Sequence, residues 1–92
     1  MALTYVLFSP SINRLYVGST HDLEARLHKH NSGYERYTRR GTPWILLWAA
    51  TKPSKSEAMQ LENKLKNLNR QRLLALLLKY EIDLRVDPSY AG

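Results

Sequence analysis

The sequence predicts an α+β domain with its elements in the order ββαβαα. Three observations lead there. Two runs rich in β-branched, aromatic and aliphatic residues near the N-terminus are separated by a short segment of turn chemistry. A near-continuous apolar run lies mid-chain, and three helix-start signals punctuate the remainder.

Taken in order, Leu3 to Phe8 (LTYVLF) reads as a strand that ends at the breaker pair Ser9-Pro10. Leu15 to Ser19 (LYVGS) reads as a second strand, and the intervening Ser9–Asn13 closes the two into a β-hairpin. Gly18, near the end of that strand, marks a close backbone approach. Thr20 or Asp22 caps a helix that runs to about Asn31, with Gly33 just beyond its end. On that helix Leu23, Leu27 and His30 share a face, and Arg26 lies roughly 40° further round, on its shoulder. Asn31 to Pro43 is a polar loop carrying Arg36, Arg39 and Arg40 interleaved with Tyr34 and Tyr37. Trp44 to Thr51 (WILLWAAT) has the continuous apolar character of a central strand buried on both faces, with Trp44 and Trp48 on one of them. Ser54-Lys55-Ser56-Glu57 is a capping box that opens a second helix. Its apolar stripe is Ala58, Leu61, Leu65 and Leu68, with Glu62 on the stripe's shoulder. Asn69 starts a third, Leu-rich helix over Arg70 to Tyr80.

Ninety-two residues suffice for one domain, 1–80, followed by a short tail, 81–92. A chain of this length buries roughly 60–68% of its unfolded surface, which leaves no room for a separate cofactor domain. A hydrophobic fraction of 43% places it among globular rather than disordered chains. The absence of cysteine excludes disulfides, thiol nucleophiles, iron–sulfur clusters and Cys-based zinc sites. No apolar run approaches the ~20 residues of a membrane-spanning helix, and the N-terminal segment has no basic region followed by a cleavage site. A soluble cytoplasmic protein without a membrane partner is therefore expected. Lys and Arg exceed Asp and Glu by 14 to 8, a net charge of +6 that points to a polyanion. The charge is uneven: residues 1–80 carry 13 basic and 5 acidic side chains, whereas the tail carries a net −2. The acidic tail is expected to pack on or near the basic surface.

Polar side chains at positions where the pattern wants core are the candidates for chemistry. Tyr5 and Tyr16 lie on adjacent strands, Arg26 and His30 project from the first helix toward the sheet, and Glu62 projects inward from the second. A buried charge is unfavourable unless it is paired, coordinated or used. Converging on one side of the sheet, one carboxylate, one guanidinium, one imidazole and two phenols suit phosphodiester cleavage. Glu62 would hold one hard divalent cation, Mg²⁺ or Mn²⁺, with water filling the other positions. Arg26 would neutralise charge on the phosphoryl oxygens, and a phenol or imidazole would position or deprotonate the attacking water. A phenol acting as base needs a nearby cation to lower its pKa from about 10.

These residues resemble the GIY-YIG nuclease family, and in particular its small stand-alone bacterial members. Leu3-Thr4-Tyr5 stands where Gly-Ile-Tyr would, keeping only the tyrosine, and Tyr16-Val17-Gly18 matches the second triplet well. The step of eleven residues from Tyr5 to Tyr16, of ten to Arg26 and of four to His30 fits the family, as does the segment Ser56 to Glu62 that delivers the metal-binding glutamate. Asn31-Ser32-Gly33 and Tyr37 to Gly41 extend the likeness, which covers residues 3 to 78. The resemblance implies a three-stranded antiparallel sheet flanked by helices and a metal-dependent endonuclease acting on DNA. It implies Tyr5 as general base and Tyr16 as the group that orients phosphate or water, with the reverse assignment as the alternative. Arg26 would stabilise the transition state, His30 would assist proton transfer or support a tyrosine, and Glu62 would bind the metal. Many members carry an Asn about twelve residues after that glutamate; here the position is Leu74, and Asn69 is the nearer amide.

Bland readings exist for each residue. Tyr5 and Tyr16 could be packing aromatics, His30 a satisfied core histidine, Arg26 a solvated helix residue and Glu62 half of an i,i+4 bridge with Lys66. Glu57 is explained by the capping box. His21 and His28 read as surface residues, with no zinc-type spacing. Tyr34, Arg36, Tyr37, Arg39 and Arg40 suit backbone neutralisation and base stacking on single-stranded or structured DNA, as do Lys66 and Arg70 on the helices. With no separate recognition module, weak sequence specificity is expected. A non-catalytic nucleic-acid-binding module on the same scaffold is the alternative, prompted by the degenerate first triplet. A protein-interaction domain with incidental charge is a third reading.

Overall fold

A computed structural model describes residues 1–33 and 35–79; Tyr34 and residues 80–92, which include the acidic tail, lie outside the described residues. The elements run β1 (Ala2–Ser9), β2 (Arg14–Thr20), α1 (Leu23–Ser32), a 3₁₀ turn (Arg39–Gly41), β3 (Ile45–Lys52), α2 (Lys55–Lys66) and α3 (Arg70–Lys79). This is the expected ββαβαα order. The helix starts are chemically defined. Asp22 accepts the Ala25 amide at 3.1 Å, Ser54 Oγ accepts the Glu57 amide at 3.2 Å, and Asn69 Oδ1 accepts the Arg72 amide at 2.9 Å. Gly33 ends α1 in the left-handed conformation with φ 83°.

The three strands pair antiparallel in the order β2-β1-β3. The central strand is therefore β1, not the apolar run at 44–51 that the continuous pattern had suggested. β3 is an edge strand, and its Leu47 is 43% exposed. The reason is a β-bulge. Val6 pairs with Trp48 and Leu7 with Leu46, which leaves Leu47 as an extra residue. The extra residue reverses the alternation, so Trp44 and Trp48 lie on opposite faces of the sheet rather than on the same one.

Each face carries its own core. Tyr5, Leu7, Leu23, Trp44, Leu46 and Ala49 pack together on the α1 side, with Leu27 and Tyr16 against them. Val6, Val17, Trp48, Leu65 and Leu73 pack on the α2–α3 side, with Leu61 and Leu76 against them. β1 feeds both cores, which is why six of its eight residues are buried. The buried Thr4 hydroxyl donates to the Ala58 carbonyl at 2.7 Å, and the small Ala58 side chain lets α2 lie close against β1. Among the described residues no helix is long and apolar enough to cross a membrane.

Leu65, 1% exposed, anchors α2 to the sheet away from the α1 face. Leu65→Ala is expected to destabilise the fold by about 2–5 kcal/mol through lost burial and a residual cavity. Urea denaturation would measure this, and a midpoint equal to wild type would contradict the packing described.

Candidate active site

Tyr5 sits at the middle of the central strand with its side chain on the α1 face, 1% exposed. Its partner in the register is Gly18 of β2, and the absence of a side chain there is what accommodates the phenol. A Cβ on Gly18 would lie 2.6 Å from Tyr5 Oη and 2.7 Å from Cζ. Tyr16, paired with Leu7, lies diagonally on the same face, its ring centroid 6.3 Å from that of Tyr5. α1 then lays His30 across both tyrosines, with ring-centroid distances of 6.0 Å to Tyr5 and 4.8 Å to Tyr16.

A directed hydrogen-bond chain joins these groups. Arg26 has no acceptor atom, so its Nε donates to Tyr5 Oη at 3.4 Å. The phenolic proton is then free to donate to His30 Nε2, 3.0 Å away. That places the imidazole proton on Nδ1, which donates to Thr38 Oγ1 at 3.0 Å. Burial, reinforced by the nearby Arg26 charge and partly offset by Glu35, holds His30 down at about 4, so it is a neutral ring at neutral pH. Burial pushes the Tyr5 phenol up to about 12 in spite of the Arg26 bond. The Arg26 guanidinium is raised above its ordinary value, first by its bond to Tyr5. Its Nη1 also reaches Glu35 Oε1 at 3.0 Å.

Glu62 arrives differently. The expectation that all five groups project from one side of the sheet holds for Tyr5, Tyr16, Arg26 and His30. Glu62 belongs to α2, in the opposite layer, and reaches the end of the edge strand β2, where Oε1 accepts from Ser19 Oγ at 2.5 Å. Its Oε2 is 2.6 Å from Lys66 Nζ.

The loop residues divide. Arg36, Tyr37, Arg39 and Arg40 are exposed, Tyr37 to 93%. Lys66 is engaged with Glu62. Arg70 grips the hairpin turn, donating from Nη1 to the Asn13 carbonyl at 2.9 Å and from Nη2 to Asn13 Oδ1 at 2.7 Å.

Residues 1–75 match the profile of the GIY-YIG catalytic domain. This chain belongs to the GIY-YIG nuclease family. A UPF0213 protein of Staphylococcus haemolyticus is 39% identical over 66 residues, spanning 71% of this chain and 80% of its own. A UPF0213 protein of Streptococcus sanguinis is 44% identical over 64 residues, 68% of this chain and 74% of its own. The solution NMR structure of a UPF0213 protein from Bacillus halodurans superposes with a TM-score of 0.56 at 34% identity, covering 86% of this chain and 85% of that one. The α+β fold with a three-stranded antiparallel sheet is thus shared with that relative. Membership in a GIY-YIG nuclease family makes nucleic acid the substrate class.

What a GIY-YIG site with this geometry offers a metal ion is specific. Among the described residues no three His, Asp or Glu side chains cluster. Among the described residues Glu62 is the carboxylate that would hold a divalent cation, with water completing its shell, which suits an ion such as Mg²⁺ that keeps most of its hydration. The Glu62 side chain is 17% exposed and already carries a cation, the Lys66 ammonium, on Oε2. A metal ion bound there would compete with the Lys66 ammonium for Oε2.

Three supports of the site carry no signal in the sequence pattern. Thr38 is buried and fixes the outer nitrogen of His30; Glu35 holds Arg26; Ser19 holds Glu62. Thr38 is itself placed by the anchoring of its loop. Asn31 Oδ1 accepts the Trp44 amide at 2.6 Å, and Trp44 Nε1 donates to the Thr38 carbonyl at 2.6 Å. Gly41 leaves room for the Trp44 indole, which a Cβ there would overlap.

The depressed His30 pKa makes stability depend on pH with a definite sign. The unfolded chain takes up this proton as pH falls below 6.5, whereas the folded chain resists until about 4. Stability is therefore complete above pH 6.5 and is lost progressively toward pH 4. Between pH 7.5 and pH 5 the His30 contribution is expected to lower the unfolding free energy by about 1–2 kcal/mol. Comparing urea denaturation of wild type and His30→Gln at both pH values isolates it; equal pH slopes would refute a buried neutral His30.

Proposed function

We propose that this chain is a metal-dependent endonuclease that hydrolyses DNA phosphodiester bonds, with single-stranded or structured DNA as substrate and weak sequence specificity. The observation that carries the reading is the Tyr5 hydroxyl, which receives the Arg26 guanidinium and faces His30 Nε2 on one buried face. One partner is a guanidinium that can bind phosphate and the other an imidazole that can take the phenolic proton. Glu62 would hold a divalent cation, which would supply Lewis-acid stabilisation of charge on the phosphate.

The side chains supply the rest. Arg26 binds a non-bridging phosphoryl oxygen and offsets the charge that builds there. Tyr5 is the general base: its oxygen takes the proton of the attacking water as its own proton passes to His30 Nε2. A bound phosphodiester counters the Arg26 charge that helps to keep His30 neutral, which eases that transfer. Thr38 holds the His30 ring so that Nε2 faces the phenol. Tyr16 orients the phosphate or the water beside Tyr5. Arg36, Tyr37, Arg39 and Arg40, with Tyr34 of the same loop, neutralise the backbone and stack unpaired bases.

A second reading, a non-catalytic nucleic-acid-binding module, is favoured by one specific observation. Both charged groups are already paired, Arg26 with Glu35 and Glu62 with Lys66, and burial holds the Tyr5 phenol near 12. Cleavage of labelled single-stranded, duplex and branched DNA in Mg²⁺ or Mn²⁺ separates the two. Arg26→Ala is expected to slow cleavage by about 10²–10³-fold, the loss seen when one transition-state donor is removed. Glu62→Ala is expected to abolish metal-stimulated cleavage. Wild-type inactivity on all three substrates, with DNA binding retained, would establish the module instead.

A further inference from the structure

The basic stretch on α2 and α3 and the hairpin turn enclose a feature that the cleavage chemistry does not use. A cleft of about 670 Å³ runs along the outer side of β2, between the hairpin tip and the packed helices. Its floor is apolar, formed by Leu15, Val17, Leu65 and Leu73, and its rim is cationic, formed by Arg14, Lys66 and Arg70. No acidic side chain lines it among the described residues. The cleft borders the candidate active site: Tyr16 is among its lining residues, and Lys66 on its rim bonds Glu62 through Nζ.

The three cations differ in a way that suits a ligand. Arg70 is held by two neutral oxygens of Asn13, so its position is fixed while its charge stays available. Arg14 is exposed, and its guanidinium has no hydrogen bond or ion pair among the described residues. Lys66, 49% exposed, lies where the cleft meets the carboxylate. Cations on a rim above an apolar floor match a chain that alternates phosphates with flat apolar faces. A duplex keeps its base faces stacked inside; only unpaired bases can reach such a floor.

We infer that this cleft is a second subsite, which takes the backbone and bases of a single-stranded polynucleotide flanking the phosphate held at Arg26 and Glu62. The inference rests on the nuclease reading for its orientation, because the cleft leads away from those two residues. Arg14 is the cation of the rim that has no partner among the described residues, and it would contact the backbone phosphate.

Fluorescence anisotropy with dye-labelled oligo(dT) and a blunt DNA duplex, in EDTA so that nothing is cut, tests this. Arg14→Ala is expected to weaken oligo(dT) binding about 3–10-fold at low salt and to reduce the salt slope by about 0.7, the value of one single-strand phosphate contact. Arg14→Glu should weaken it further, and Arg14→Lys should restore most of the affinity. Circular dichroism is expected to show all three folded, since Arg14 holds nothing else. Wild-type affinity and slope in Arg14→Ala and Arg14→Glu, with oligo(dT) still bound, overturn the subsite and leave the nuclease reading standing. An equal loss on the duplex overturns the single-strand assignment. Failure of every form to bind either DNA at low salt overturns both readings together.

Discussion

The hydroxyl of Tyr5 is the point on which the rest of the site depends. It is buried at the middle of the central strand, where its ring packs on both neighbouring strands' side chains and its oxygen meets Arg26 and His30. A buried phenol is tolerated only with partners, and these partners constrain each other in turn. Because Arg26 can only donate, the phenol must donate elsewhere. Because His30 is buried beside a guanidinium, it stays neutral and accepts on Nε2. Because Nδ1 then carries the proton, an acceptor must face it, and Thr38 does. One donor-only side chain thus sets the direction of a chain four residues long.

The surrounding architecture can be read as the means of holding that chain. Gly18 gives the phenol the space that a side chain would occupy. The anchored loop delivers Thr38 by pinning both ends of its span, through Asn31 to Trp44 and from Trp44 back to Thr38. The two cores divide the labour. The α1 face carries the tyrosines, the arginine and the histidine, whereas the α2–α3 face carries the carboxylate around the edge of β2. The edge position of β2 is what allows a group from the second layer to approach the first, since among the described residues no further strand closes that side of the sheet.

Much of this was legible in the sequence, and the failures have physical causes. The hairpin, the caps at Asp22, Ser54 and Asn69, and the helical face bearing Leu23, Leu27 and His30 follow from local rules, because caps and periodicity act within a few residues. The place of β3 did not follow. One extra residue, Leu47, interrupts the two-residue alternation and makes an edge strand look like a strand buried on both sides; the same bulge parts Trp44 from Trp48. The approach of Glu62 from the opposite layer was hidden because a helix pattern gives the buried side of a helix but not the sheet face it covers. Thr38, Glu35 and Ser19 were hidden because each acts through a contact distant in sequence. A threonine in a polar loop looks the same whether or not a histidine waits at its hydroxyl.

The whole site turns on the direction of the hydrogen-bond chain, and nitrogen-15 NMR of the imidazole rings measures it directly. In wild type at pH 7, His30 should be neutral with its proton on Nδ1 and Nε2 shifted as a hydrogen-bond acceptor. In Tyr5→Phe the Nε2 resonance should lose that acceptor shift while the proton stays on Nδ1 through Thr38. A His30 that carries its proton on Nε2, or that titrates near the ordinary value of 6.5, would contradict the arrangement of Arg26, Tyr5, His30 and Thr38 on which the account is built.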